Sequence, residues 1–225
     1  VQVSVKNHRH GALNPFAMYR REMSFEEIAN SAMVNDPLRL LMLCAPNEGA
    51  AAVLLSTKEV AKRHTTKLIR LAAAVLDSPL YGTVEVPHIS VSARVEAPTV
   101  TMTAAREAYE ASGLGPEDLD VVELQDTDSA SEIIYSEELG LCARGEGGRL
   151  LDEGATEVGG RIPVNPSGGL LSKGEPLGAS ALAQVAEVVW QLREEAGPRQ
   201  VKDARVGLTH VYGAMGNCAV SVLQR

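Results

Sequence analysis

Two polar stretches of the chain carry side chains able to bind a ligand or move a proton. Gln125-Asp126-Thr127-Asp128 directly follows the apolar run Val121 to Leu124, and Ser129 with Glu132 then reads as the start of a helix through Glu138. Polar groups at the carboxyl end of a strand, just ahead of a helix, sit where α/β folds bind ligands. The same residues would equally serve as plain helix caps. The second stretch, Val158 to Ser180, holds Gly159, Gly160, Gly168, Gly169, Gly174 and Gly178, with Asn165, Pro166 and Ser167 among them. Glycine lets the backbone approach a ligand closely, so this loop could cradle an acyl or phosphate-bearing chain. It fits neither the P-loop spacing nor a dinucleotide fingerprint.

Alternating helix and strand signals must position these loops, and they point to an α/β fold. Val1, Val3 and Val5 alternate as in a strand. Ser24 with Glu27 opens a helix over 24–33, and Ser56 with Glu59 another over 57–64. Gly49 to Leu55 reads as a buried strand and Lys67 to Leu76 as a further apolar run. Tyr81 to Pro98, with its valines and prolines, reads as a connector or edge strand at a domain boundary. Val100, Ala104, Ala105, Ala108 and Ala111 share a helical face that Gly113 ends. Pro116 starts a short turn. Leu182, Val185, Val189 and Leu192 form another helical face, closed by Gly197 and Pro198. Arg205 to Val211 and Cys218 to Leu223 read as a hairpin with Tyr212 near its tip.

Composition narrows the class. The 225 residues are 45% apolar, and 29 acidic against 21 basic residues leave a net charge of −8. No window approaches the ~18 apolar residues of a membrane-spanning helix. The acidic balance argues against nucleic acid as main partner. Three cysteines, Cys44, Cys142 and Cys218, lie far apart, so neither a disulfide framework nor a metal site is expected, and a reducing cytoplasm fits. With valine at position 1 and no signal peptide, the start of the protein is expected to lie outside this sequence.

The stretches Lys6-Asn7-His8-Arg9-His10 with Asn14-Pro15, Gly49-Ala50-Ala51-Ala52, Asp120 to Leu124, Glu138 to Cys142, Asn165-Pro166-Ser167-Gly168-Gly169-Leu170-Leu171-Ser172-Lys173-Gly174, Pro176 to Ala179, Trp190 to Arg193 and Arg199 to Val201 stand out together. They resemble the second half of a thiolase-superfamily protein, most closely the sterol-carrier-protein-type branch. The resemblance implies a layered α/β/α/β/α fold of which this chain covers roughly the second half. Residues 1–97 would be the end of the first core half with a loop region, and 98–225 the C-terminal core half. It further implies a homodimer handling acyl thioesters of coenzyme A, with coenzyme A present only as part of the substrate and no separate cofactor or metal.

Departures from the family pattern point to a different reaction. Family members that perform thiolysis carry His-Asp-Cys-Phe or Asn-Glu-Ala-Phe where this chain has Gln125 to Asp128, and a histidine where it has Glu175. An ionised Glu175 accepts hydrogen bonds and cannot donate them to a thioester oxyanion, so thiolysis is not expected. The chain is similar to the thiolase-like aldolases known as lipid-transfer proteins of steroid side-chain degradation. These cleave a branched β-hydroxyacyl-CoA by retro-aldol chemistry with an OB-fold partner protein. A non-catalytic acyl-CoA-binding or scaffold subunit is the alternative.

Retro-aldol cleavage needs a base for the β-hydroxyl proton and an acid for the enolate. Tyr212, Glu175 and Asp126 are the candidate proton carriers, expected to converge on one pocket. Tyrosine titrates near ~10, so Tyr212 as base needs a cationic or donor neighbour, and His210 is the closest in sequence. Packing of Tyr212 over the hairpin and of His210 in the core is the alternative. Gln125 and Thr127 would hold the thioester oxygen, and Asn165, Ser167, Gly168, Gly169, His8 and Arg9 would line the substrate. Lys6, Arg9, Arg20 and Arg21 would suit the phosphates of coenzyme A or equally form a solvated face, and Tyr135, inside its helix, would pack and not react.

Overall fold

The computed structural model describes residues 1–79, 83–86, 89–92, 98–213 and 216–225, with the backbone alone at 83–86 and 89–92. Its centre is a mixed sheet in the order β3 (Arg70–Asp77), β8 (Cys218–Gln224), β7 (Val206–Tyr212), β6 (Val121–Glu123). β6 and β7 run parallel, while β8 is antiparallel to both β7 and β3. Beyond β6 a single parallel bridge, Val122 to Val164, brings the start of the glycine-rich stretch to the sheet edge.

Strand alternation sends successive residues to opposite faces, and this divides the core in two. Val122, Val220 and Val222 pack with Val100, Ala104, Ala105 and Ala108 of α4 (Val100–Ser112) on one face. Val121 and Leu223 pack with Val188 and Leu192 of α8 (Ala179–Leu192) on the other. α4 starts on Thr99, whose hydroxyl accepts from Met102 N–H, and stops with φ 71° at Gly113, where the sequence places its end. Ala111, placed on the same face from spacing, is exposed.

Before the sheet come α1 (Gln2–Ala12), α2 (Phe25–Ala29), the pair β1 (Met33–Asn35) and β2 (Leu38–Arg39), and α3 (Lys58–Ala61). β4 (Thr83–Val86) and β5 (Ile89–Ser92) pair with each other inside the expected connector, whose remaining residues 81–82, 87–88 and 93–97 lie outside the described ones. α5 (Ser129–Glu138), α6 (Gly147–Asp152) and α7 (Gly169–Ser172) complete the chain between β6 and α8.

Several sequence expectations are corrected. Val1 to Val5 enter α1, not a strand: the helix buries Ser4, Lys6, Asn7, His8 and His10 along with Val3, so its packed surface carries no apolar stripe. The helix opened by Ser24 is only five residues long, and the Glu27 carboxylate turns to Arg21 rather than back to the cap. Thr57, not Ser56, caps α3, and Asp128, not Ser129, caps α5 by accepting from Ala130 N–H and Ser131 N–H. Gly49 to Leu55 is in no strand, and Leu54 and Leu55 are exposed. On α8 Leu182 is exposed, while Gln184, Glu187 and Gln191 are inside. Arg199 makes two 2.9 Å bonds to the Glu187 carboxylate, which satisfies that buried charge.

Candidate active site

β6 delivers the chain into the Gln125 to Asp128 loop, and the alternation of the strand continues through it. Asp126 turns inward and is fully buried. Its carboxylate accepts from Leu170 N–H at 2.6 Å, Leu171 N–H at 3.4 Å and Asn7 Nδ2 at 2.8 Å, closing the first turn of α7. Burial, with the Glu132 charge nearby, pushes this carboxyl well above the usual range. Gln125 turns the other way and donates from Nε2 to Glu175 Oε1 at 2.8 Å. Glu175 is half-buried. The structure therefore pairs Gln125, not Asp126, with Glu175, because adjacent residues of an extended segment cannot share a face.

A third strand-like segment fixes this pairing. Cys44 N–H donates to Thr127 carbonyl at 2.8 Å, Ala45 N–H to Leu170 carbonyl at 3.1 Å, and Glu175 N–H to Ala45 carbonyl at 2.8 Å. Residues 43–46 thus join the loop after β6 to the loop after α7, and the Pro46–Glu175 bridge puts the Cys44 side chain on the same face as the Glu175 carboxylate, whose charge it feels. Burial first, then the Glu175 charge, pushes that thiol up to about 12. Gln125 is 5% exposed, and its Oε1 accepts from nothing among the described residues. Sequence reading missed Cys44, since one cysteine between two apolar residues has no spacing signal and its partner lies far along the chain.

His210 and Tyr212 approach from β7. His210 is fully buried, with Nδ1 accepting from Gln125 N–H at 3.5 Å and Nε2 facing Thr101 Oγ1 at 3.1 Å. Burial pushes it down to about 3, so the ring is neutral. The expected cationic support for Tyr212 from His210 is thereby overturned. Tyr135 packs against both rings, 4.5 Å from His210 and stacked 5.9 Å from Tyr212. Thr127 is half-buried, and Tyr212 stands half-buried at the end of its strand.

The Asn165 to Gly169 loop spends its side chains internally. Asn165, at φ 54°, accepts Leu124 N–H and donates to Glu132, and Ser167 Oγ donates to Glu123 at 2.7 Å. Gly168, at φ 99°, lies so close to α1 that a Cβ would meet Gly11 Cα at 2.7 Å, and a Cβ on Gly169 would meet Asp126 Oδ2 at 2.1 Å. Lys6 is buried in this layer, 3.0 Å from Glu132, so it cannot contribute to a surface patch for phosphates. Arg9 pairs with Glu157 at 2.9 Å on the outside, Arg21 pairs with Glu27, and among the described residues Arg20 reaches the Pro15 carbonyl at 3.5 Å. His8 is fully buried against Tyr19.

A four-stranded mixed sheet covered on both faces, with a loop at the end of β6 closed by a glycine-rich turn, defines a thiolase-type α/β core. Comparison with known proteins agrees: residues 83–225 match the family described as thiolase C-terminal domain-like. The chain is 43% identical to an acetyl-CoA acetyltransferase of Methanothermobacter thermautotrophicus, over 99% of its own length and 57% of the relative. It is 42% identical to sterol carrier protein 2 of Rattus norvegicus, over 100% of its length and 41% of the relative. Among solved structures, an Ltp2-ChsH2(DUF35) aldolase superposes with a TM-score of 0.82 at 25% identity, covering 99% of this chain and 57% of that one. The chain belongs to the thiolase superfamily, in its sterol-carrier-protein-type branch. It spans about half the length of the curated relatives it matches. Among the described residues, no helix is long and apolar enough to cross a membrane.

Proposed function

We propose that this protein is a retro-aldolase that cleaves a branched β-hydroxyacyl-CoA, of the steroid side-chain type, into a ketone or aldehyde and a shortened acyl-CoA. The observation that carries the reading is the 2.8 Å contact from Gln125 Nε2 to Glu175 Oε1. It leaves the remaining capacity of both side chains largely as acceptors, which suits a substrate hydroxyl that must donate its proton. Glu175 is the base for that proton. Tyr212, beside a neutral His210, serves as a phenol donor to the thioester oxygen, where enolate charge develops. The likeness to the Ltp2-ChsH2(DUF35) aldolase supports an OB-fold partner here, and the protein acts as a cytoplasmic homodimer. Residues 98–225 form the C-terminal core half, with residues 1–97 supplying the segment that carries Cys44.

The scaffold reading is favoured by one observation, the enclosure of Asp126, Asn165 and Ser167 in internal bonds. Incubating the intact polypeptide and its partner with a branched β-hydroxyacyl-CoA separates the two. Release of a carbonyl product and a shortened acyl-CoA is expected, with no thiolysis of a 3-ketoacyl-CoA by free CoA. Tyr212→Phe should lower turnover by roughly 10²-fold. Binding without turnover would establish the scaffold instead.

A further inference from the structure

The Cys44 thiol, the Glu175 carboxylate and the Gln125 amide form a cluster that base chemistry alone does not use up. We propose that Cys44 is the acid that protonates the α-carbon of the departing thioester enolate, and that Glu175 reloads it. The inference rests on the retro-aldol reading of the same site.

Backbone geometry makes the placement specific. The hydrogen bonds at Cys44, Ala45 and Glu175 tie residues 43–46 to both catalytic loops, so the thiol is held against Glu175 from a different segment of the chain. The nine-tenths-buried Gln125 keeps an unpartnered Oε1 on the same carboxamide that holds Glu175, an acceptor left for a donor group of the substrate.

The proton balance closes without any outside reactant. Glu175 takes the β-hydroxyl proton, the bond between the α- and β-carbons breaks, and its electron pair forms the enolate as the carbonyl forms. The Sγ–H then gives its proton to the α-carbon. Protonated Glu175 passes its proton to the neighbouring thiolate, and both groups return to their starting state. Burial and the adjacent carboxylate keep the group a thiol at neutral pH, which suits a proton donor and not a nucleophile.

The test is α-hydrogen exchange, the reverse of the final step. Intact polypeptide and partner are incubated with the shortened acyl-CoA in D₂O, and deuterium at the α-carbon is read by mass spectrometry alongside cleavage of the β-hydroxyacyl-CoA. Wild type should exchange. Cys44→Ala should lose both exchange and turnover by roughly 10²-fold to 10⁴-fold with KM little changed, and Cys44→Ser, which keeps a proton on the side chain, should recover part of each. An unfolding midpoint near wild type verifies that the variants are folded. Cys44→Ala that exchanges and cleaves at the wild-type rate overturns the proposal, as does a wild type that does neither. A wild type that exchanges without cleaving, with exchange lost in Cys44→Ala, keeps the role of Cys44 and overturns only the retro-aldol reading.

Discussion

Gln125 and Asp126 are neighbours in one loop yet belong to two regions with opposite uses of charge. Asp126 faces a buried layer in which Lys6, Asn7, Glu132 and Asn165 bond one another, with Glu123, Ser167 and Lys173 in the adjoining network. Gln125 faces a half-exposed cluster of Cys44 and Glu175, in which acceptor capacity remains open. A buried charge is tolerated only when its partners use it up. On the proposed reaction, reactivity falls to the Gln125 cluster, and the buried layer serves to fix the loops that build it.

The largest effects should separate these regions most sharply. Lys6→Ala leaves the Glu132 carboxylate buried without its cation and should cost about 3–5 kcal/mol of stability, read from the denaturant midpoint. Glu175→Gln removes a half-buried carboxylate and should leave stability within about 0.5 kcal/mol of wild type, while turnover falls by roughly 10²-fold to 10⁴-fold. A Glu175→Gln variant as unstable as Lys6→Ala would merge the two regions into one structural network.

The sequence makes local features legible and distant ones obscure. α4 with its Gly113 stop, and the hairpin of β7 and β8, follow from side-chain period and turn residues within a few positions. α1 does not, because its buried positions include Lys6, Asn7 and His10, whose partners Glu132, Val164 and Asn165 lie far along the chain. Gly49 to Leu55 has the composition of a strand, but pairing supplies what makes a strand, and composition cannot specify the partner. At the site, Glu175 and Gln125 were recognisable as departures from a family pattern, and the neutral state of His210 was not. Burial alone sets that state, and burial is a property of the folded chain.

An intermediate effect tests how tightly the buried layer carries the glycine loop. Gly168→Ala puts a Cβ 2.7 Å from Gly11 Cα at a residue whose φ is 99°. Both the strain and the displacement of α1 oppose it, for a cost of roughly 1–3 kcal/mol. Because Gly168 precedes the α7 turn that Asp126 closes, turnover should fall too, even though Gly168 is not in the cluster of Cys44 and Glu175. A variant with reduced stability and unchanged turnover would show that the two regions are not mechanically joined at this loop.

The smallest effect concerns a buried ring of the structural layer that has no hydrogen-bond partner among the described residues. Neither ring nitrogen of His8 has one among the described residues, and the ring packs edge-on against Tyr19. Burial, aided by Arg21 and opposed by Glu27, pushes His8 down to about 4. In the unfolded chain it titrates near ~6.5, so between these values the unfolded state binds the extra proton. Stability from the neutral ring is thus fully present above the unfolded value and is lost as pH falls toward the folded one. At about pH 5.5 the loss attributable to this residue is on the order of 1 kcal/mol. His8→Phe keeps a ring beside Tyr19 and removes the titration, so its unfolding free energy should decline less than that of wild type between neutral pH and 5.5. Contributions from His10 and His210, which are lowered as well, cancel in that difference. Equal slopes in the two proteins would mean that His8 gains a partner when protonated, placing it with the satisfied groups after all.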